Sequence, residues 1–255
     1  MSKLPAAYKF IDLSDYGRPI ARHIALYLKD TSCTPVQVTW LFIVSGLIGV
    51  AGMFFGYYYL AAFFLVLKSI LDAADGELAR LKETPSYTGR YFDSIADILL
   101  NALIFFTLYI ICDISFIWVL LSFLGIQLQG TLYNYYYVIL RNKVNGDTTS
   151  RVFETETPQA LPGENQQTVN ILFKLYRILY GVFDIIIYRL DNNAPQGKIS
   201  PNWFMTAVSS FGLGFQLLLI GIFLILGMKE FIIPFFLLYT LMVLIFIAIR
   251  KLLNT

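Results

Sequence analysis

Four aspartates, Asp72, Asp75, Asp93 and Asp97, stand within strongly apolar sequence at a spacing that suits a cation site. Asp72 and Asp75 lie three apart and Asp93 and Asp97 four apart, so on helices each pair shares one face. A carboxylate is costly to hold in a membrane helix without a partner. Four of them turned toward one another repel unless a cation lies between them. Hard ions such as Mg²⁺ or Mn²⁺ take carboxylate oxygen and commonly bridge to substrate phosphates. Two such ions would offset the four negative charges and polarise a bound diphosphate.

The sequence around the aspartates says what must position them. The chain has 255 residues, 57% of them hydrophobic, and a mean hydropathy of +0.65. This is too apolar for a soluble domain of that length. About 20 apolar residues suffice to cross a bilayer, and six such stretches are present: 36–56, 58–75, 91–111, 115–138, 202–226 and 230–249. The expected fold is therefore an all-α integral membrane protein with six transmembrane helices. An amphipathic helix precedes the first span, and a second, interfacial helix follows the fourth. The second stretch runs into Asp72 and Asp75. Pro85 then breaks the chain before Gly89, Asp93 and Asp97 open the third. Two antiparallel helices joined by a short polar turn thus bring the four carboxylates together. Gly76 and Gly89 remove side chains beside them and let a bulky ligand approach the backbone.

Charge gives the expected orientation. Of the 19 Lys and Arg, all but Lys68 and Lys229 fall before the first span, between spans two and three, between spans four and five, or in the tail. By the positive-inside rule both termini and the aspartate-rich turn face the cytoplasm. No cleaved signal peptide is expected, because MSKLPAAYKF lacks a basic segment followed by an apolar one. Cys33 and Cys112 support neither a disulfide framework nor a zinc site, and nothing points to a nucleic-acid partner. The chain reads as one membrane domain over residues 1–255. Residues 1–35 form its juxtamembrane segment, and 142–200 form a cytoplasmic loop followed by an interfacial helix.

The eight residues Asp72, Asp75, Gly76, Ala79, Arg80, Gly89, Asp93 and Asp97 complete the pattern D-x2-D-G-x2-A-R-x8-G-x3-D-x3-D without departure. In this the sequence resembles the CDP-alcohol phosphotransferase family of integral-membrane enzymes that make phospholipid head groups. The resemblance is specific over about 26 residues and weak in the polar loops. It implies six transmembrane helices, a cytoplasm-facing site and commonly a homodimer. It also implies that Asp72, Asp75 and Asp93 hold two metal ions, with Asp97 sharing one and serving as general base. The acceptor hydroxyl would then attack the phosphorus of a CDP-linked lipid or alcohol, and CMP would leave. Gly76, Ala79, Arg80 and Gly89 would form the nucleotide surface, where an arginine can fork onto phosphate oxygens. The family also tends to open its first span with P-N-x-x-T. Here Pro35 and Thr39 match, and Val36 stands in place of the asparagine.

Other readings of the same residues are an intramembrane prenyltransferase and a divalent-cation transporter. Prenyltransferases place their two aspartate motifs in separate halves of the chain, whereas these four lie on adjacent helices. A transporter needs acidic groups near the middle of the bilayer, and these lie at its edge. Lys68, one turn before Asp72, either pairs with it or snorkels to the interface; the sequence leaves both open. Glu77, Lys82 and Glu83 read as solvated charges, and His23 as an interfacial residue. Tyr57–Tyr59 suit an aromatic belt. Gln127, Gln129, Tyr133, Asn134 and Tyr135–Tyr137 give span four its polarity and read as helix–helix hydrogen bonding, with a pocket-lining role as the alternative. Gly46, Gly49 and Gly52, like Gly212 and Gly214, read as close helix packing. The stretch 142–167 is either an ordered lid or a disordered loop, and the sequence does not choose. The acceptor alcohol is not specified, nor is whether diacylglycerol or the polar alcohol carries the CDP.

Overall fold

The computed structural model describes residues 4–146, 154 and 156–253. Lys3, Arg151 and, with residues 147–153 and 155, part of the polar stretch 142–167 thus lie outside the described residues. Every regular element among those described is a helix: α1 (Arg18–Leu28), α2 (Pro35–Phe54), α3 (Tyr58–Leu81), α4 (Tyr87–Ile111), α5 (Phe116–Lys143), α6 (Gln166–Leu190), α7 (Asn202–Ser209), α8 (Leu213–Ile225), α9 (Ile232–Thr240) and α10 (Met242–Leu253). By length and composition, α2, α4, α5 and the stretch 229–253 can each cross a membrane. A fifth crossing results if α7 and α8, bent by 49° at their junction, count as one span. The 24-residue α3 is long enough as well, but it carries Lys68, Asp72 and Asp75.

Local sequence explains where the site-bearing helices begin. Thr34 and Gln37 form a reciprocal capping box at the start of α2, with Pro35 in the first turn. Ser86 accepts a hydrogen bond from the Gly89 N–H at 2.9 Å and so caps α4. Between α3 and α4 the chain turns through Glu83, at a φ of 54°.

Lipid tails are as apolar as leucine, so close backbone approach and interhelical hydrogen bonds carry the packing of such a bundle. Both are present. A Cβ on Gly52 would sit 3.1 Å from the Ala61 nitrogen, which makes the α2–α3 crossing a small-residue contact. Gly46 instead takes the Leu100 side chain of α4. On α5, Gln129 donates to Thr240 Oγ1 at 2.9 Å and accepts from Gln216 Nε2 at 3.0 Å, linking three helices. Tyr135 and Tyr136 donate to Asp191, to its carbonyl at 2.8 Å and its carboxylate at 2.7 Å. Gln129, Tyr135 and Tyr136 thus hydrogen-bond across helices, as expected, while Asn134 and Tyr135 also line a small cavity and Gln127 Nε2 has no partner among the described residues.

Gly212 and Gly214 also admit a segment from outside the bundle. They lie at the α7–α8 break and receive Ser14, from a short 3₁₀ turn ahead of α1, directly against their backbones. The expected close helix packing is kept as well: a Cβ on Gly214 would sit 2.7 Å from Ser69 Oγ of α3, and one on Gly212 3.1 Å from the Tyr133 ring of α5. Leu13 N–H donating to Ser209 Oγ at 2.8 Å and the Tyr133 hydroxyl donating to Asp12 pin the N-terminal segment in place. Helix α1 then lays Ala21 and Ala25 against Ile70 and Ala74 of α3.

The 25-residue α6 packs Val169 and Phe173 against Tyr91 of α4, and its far end against α5. Its outer face exposes Ile171, Leu175, Ile178 and Val182. These follow one another at helical spacing, the pattern of a helix lying along a membrane surface.

Candidate functional site

The aspartates meet where α3 ends and α4 begins. One oxygen each from Asp72, Asp75 and Asp93 can be chosen so that all lie within 4.8 Å of one another. Asp75 is buried at 7% exposure and accepts a hydrogen bond from the Thr39 hydroxyl at 2.7 Å. Asp93 Oδ1 is buried and has no hydrogen-bond partner among the described residues. An orphaned carboxylate oxygen is costly, and here it belongs to a group of three that can close around one cation. The donor set is all oxygen, as a hard divalent ion requires. The residues present therefore fit a metal.

Asp97 lies outside this group of three. Its Oδ1 accepts a hydrogen bond from Lys68 Nζ, which also reaches Asp72 Oδ2 at 3.0 Å. Lys68 is 2% exposed, and its ammonium lies 4.6 Å from the centre of the Phe42 ring. Of the two readings the sequence left open, pairing is the one realised. It extends to a second carboxylate, on α4, that sequence spacing alone does not connect to Lys68.

The remaining motif residues line the adjoining surface. Around a Cβ built on Gly76 the nearest atom is Arg80 Nη1, at 3.5 Å. Around one on Gly89 it is Ser86 Oγ at 3.4 Å, with a Val36 methyl at 3.9 Å. Neighbouring groups thus come no closer than ordinary contact to either backbone, and Val36 puts an apolar group at the edge of Gly89. Arg80 Nη2 donates to Glu77 Oε2 at 2.7 Å, while its buried Nε has no partner among the described residues. Glu77 also accepts from Arg18 Nη1 at 3.2 Å. The expectation that Glu77 is solvated does not hold, because two arginines enclose it and 12% of its side chain is exposed. Lys82 likewise donates to the carbonyls of Thr31 and Cys33, at 2.7 and 2.8 Å, and ties the end of α3 to the α1–α2 connection. Glu83 is exposed, as expected.

Residues 32–155 match the family model described as CDP-alcohol phosphatidyltransferase. The chain carries a CDP-alcohol phosphatidyltransferase domain. It is thus a transferase of substituted phosphate groups. The match contains Thr39 and all eight motif residues. No curated protein matches the chain.

Two acidic residues that sequence reading passed over brace this domain. Glu154 pairs with Arg90 and accepts from the Tyr91 hydroxyl at 2.8 Å, holding the first turns of α4. Glu164, beyond the matched segment, accepts from the Thr88 N–H and the Ser86 hydroxyl, each at 2.7 Å. Burial tends to raise the Glu164 carboxyl, but these hydrogen bonds outweigh it and hold the group below its ordinary 4.5. A carboxylate at the amino end of a helix is favoured by the orphan N–H groups and the helix dipole. Each glutamate lies more than 60 positions from the residues it binds, so no local pattern announces them.

Proposed function

We propose that this phosphatidyltransferase domain transfers a substituted phosphate group from a CDP-linked substrate, CDP-diacylglycerol, to the hydroxyl of an alcohol, in phospholipid biosynthesis. The observation that carries this reading is the convergence of Asp72, Asp75 and Asp93 beside the side-chain-free backbone at Gly76 and Gly89, within the matched segment. Asp72, Asp75 and Asp93 hold the divalent metal, Mg²⁺ or Mn²⁺. When bound, it draws negative charge from the diphosphate and so eases departure of CMP. The resemblance implies two ions; the number this chain takes is argued below from Lys68.

The chain's own groups do the rest. Arg80, steadied by Glu77, presents its free guanidinium edge to phosphate oxygens. Gly76, Ala79 and Gly89 let the nucleotide lie against backbone, and Thr39 orients Asp75. Asp97 takes the proton of the acceptor hydroxyl as its oxygen bonds to the phosphorus of the diacylglycerol phosphate, and the bond from that phosphorus to CMP breaks. Lys68 holds one Asp97 oxygen, and the other is the proton acceptor. In this reading α3 is a span like its neighbours, giving six. The aspartates and both termini face the cytoplasm, where CDP-linked substrates and small alcohols are available, and two copies of the chain associate as a homodimer.

The test is the reverse reaction. Protein in detergent with Mn²⁺, CMP and total host lipid should yield CDP-diacylglycerol by mass spectrometry, and the lipid consumed identifies the acceptor. A CDP-alcohol with released diacylglycerol would move the CDP to the polar partner. No CDP species beside an active control enzyme would overturn the proposal.

A further inference from the structure

We propose that Lys68 stands in for a second metal ion: its ammonium is the fixed cation between Asp72 and Asp97, so the substrate-free site takes one divalent ion, at Asp72, Asp75 and Asp93. This rests on the metal reading above and departs from the two ions that the resemblance implies.

Three observations carry it. First, the four carboxylates are not equivalent. Asp72, Asp75 and Asp93 can offer oxygens within 4.8 Å of one another, and Asp97 is not of that group. Second, the place between Asp72 and Asp97, where a second ion would have to find its protein ligands, is held by Lys68 Nζ, bonded to both. Third, Lys68 has no easy way out. Its side chain is 3% exposed, and its ammonium sits near the face of Phe42. Withdrawing it from Asp72 and Asp97 would leave a buried charge without its partners.

Charge and donor supply agree with this arrangement. Four carboxylates and one ammonium leave three negative charges. One divalent ion reduces that to a single negative charge, and two would reverse its sign before any phosphate arrived. A carboxylate has two oxygens, so Asp72 can serve Lys68 and one ion together. A second ion would need Asp97 and Asp72 as ligands, the two groups Lys68 engages. Lysine suits this role because its ammonium is a compact point charge on a flexible stem, able to reach α4 from α3.

The experiment counts bound Mn²⁺ in nucleotide-free protein by electron paramagnetic resonance titration. Wild type should bind one Mn²⁺ per chain, without the dipolar broadening of a paired centre. Lys68→Met should bind two and show that broadening; Lys68→Gln serves the same purpose if the methionine variant does not fold. Two ions on wild type, or one on a folded neutral variant, would overturn the role of Lys68 while leaving the metal reading intact. No Mn²⁺ on wild type would overturn the metal reading itself, and CMP-driven turnover tests the reaction independently of the count.

Discussion

The Thr39 hydroxyl on α2 donates to Asp75 Oδ2 at 2.7 Å and so ties a third helix to the acidic cluster at the α3–α4 turn. Asp75 is buried, and Thr39 is the side chain that satisfies this oxygen. Groups that orient metal ligands typically change metal affinity about 10–100-fold when removed. Thr39→Val should therefore weaken Mn²⁺ binding by roughly that factor, read by titration, while Thr39→Ser retains it. Equal affinity in the valine variant would mean that Asp75 needs no such anchor.

Asp97→Asn separates chemistry from binding. An asparagine oxygen can still accept from Lys68, so the local geometry is kept while the proton acceptor is lost. Turnover should fall about 10²–10⁴-fold, the usual contribution of a general base. CMP binding, measured by calorimetry, should be largely retained. Near-normal turnover would remove Asp97 from the mechanism.

Glu77 acts on substrate only through Arg80. It receives Arg80 at 2.7 Å and Arg18 at 3.2 Å, which fixes the guanidinium beside Gly76. Glu77→Gln should raise KM for the CDP-linked substrate several-fold and leave kcat nearly unchanged, because a loosened arginine is lost from ground state and transition state alike. A fall in kcat at constant KM would contradict this positioning role.

These residues also show what a sequence can and cannot disclose. The aspartate pairs were legible because their spacing of three and four maps directly onto helix faces, and the intervening Pro85 marks the turn. The membrane class was legible from apolar stretches alone, although α3 weakens the pattern with the charges that make it functional. The pairing of Lys68 with Asp72 was half visible, as neighbours one turn apart. Its contact with Asp97 was not, since it depends on how α3 and α4 cross. Glu77 looked solvated because one of its arginines, Arg18, arrives from 59 positions away. Glu164 is further still, 76 positions from the Thr88 N–H it caps. The insertion of Ser14 at Gly212 and Gly214 follows the same rule. Glycines in apolar sequence announce close approach, but not which segment approaches.

Asp184 on α6 gives the protein a pH dependence of predictable sign. It lines a small cavity with Thr131, Asn134, Glu154 and Tyr176. Burial raises its carboxyl from 3.8 to about 6, the Glu154 charge adds to this, and Arg177 opposes it. A raised value means that the folded state holds the proton more tightly than the unfolded chain does. The stabilisation is therefore complete below 3.8 and is lost as the pH rises through about 6. Above that range the fold carries a buried carboxylate at a cost on the order of 2–3 kcal/mol. Asp184→Asn keeps the shape without the charge. It should raise the Tm in detergent by several degrees at about pH 7.5 and have little effect near pH 4. A loss of stability at the higher pH would show that ionised Asp184 supports the α5–α6 contact through its charge, against the direction derived from its burial.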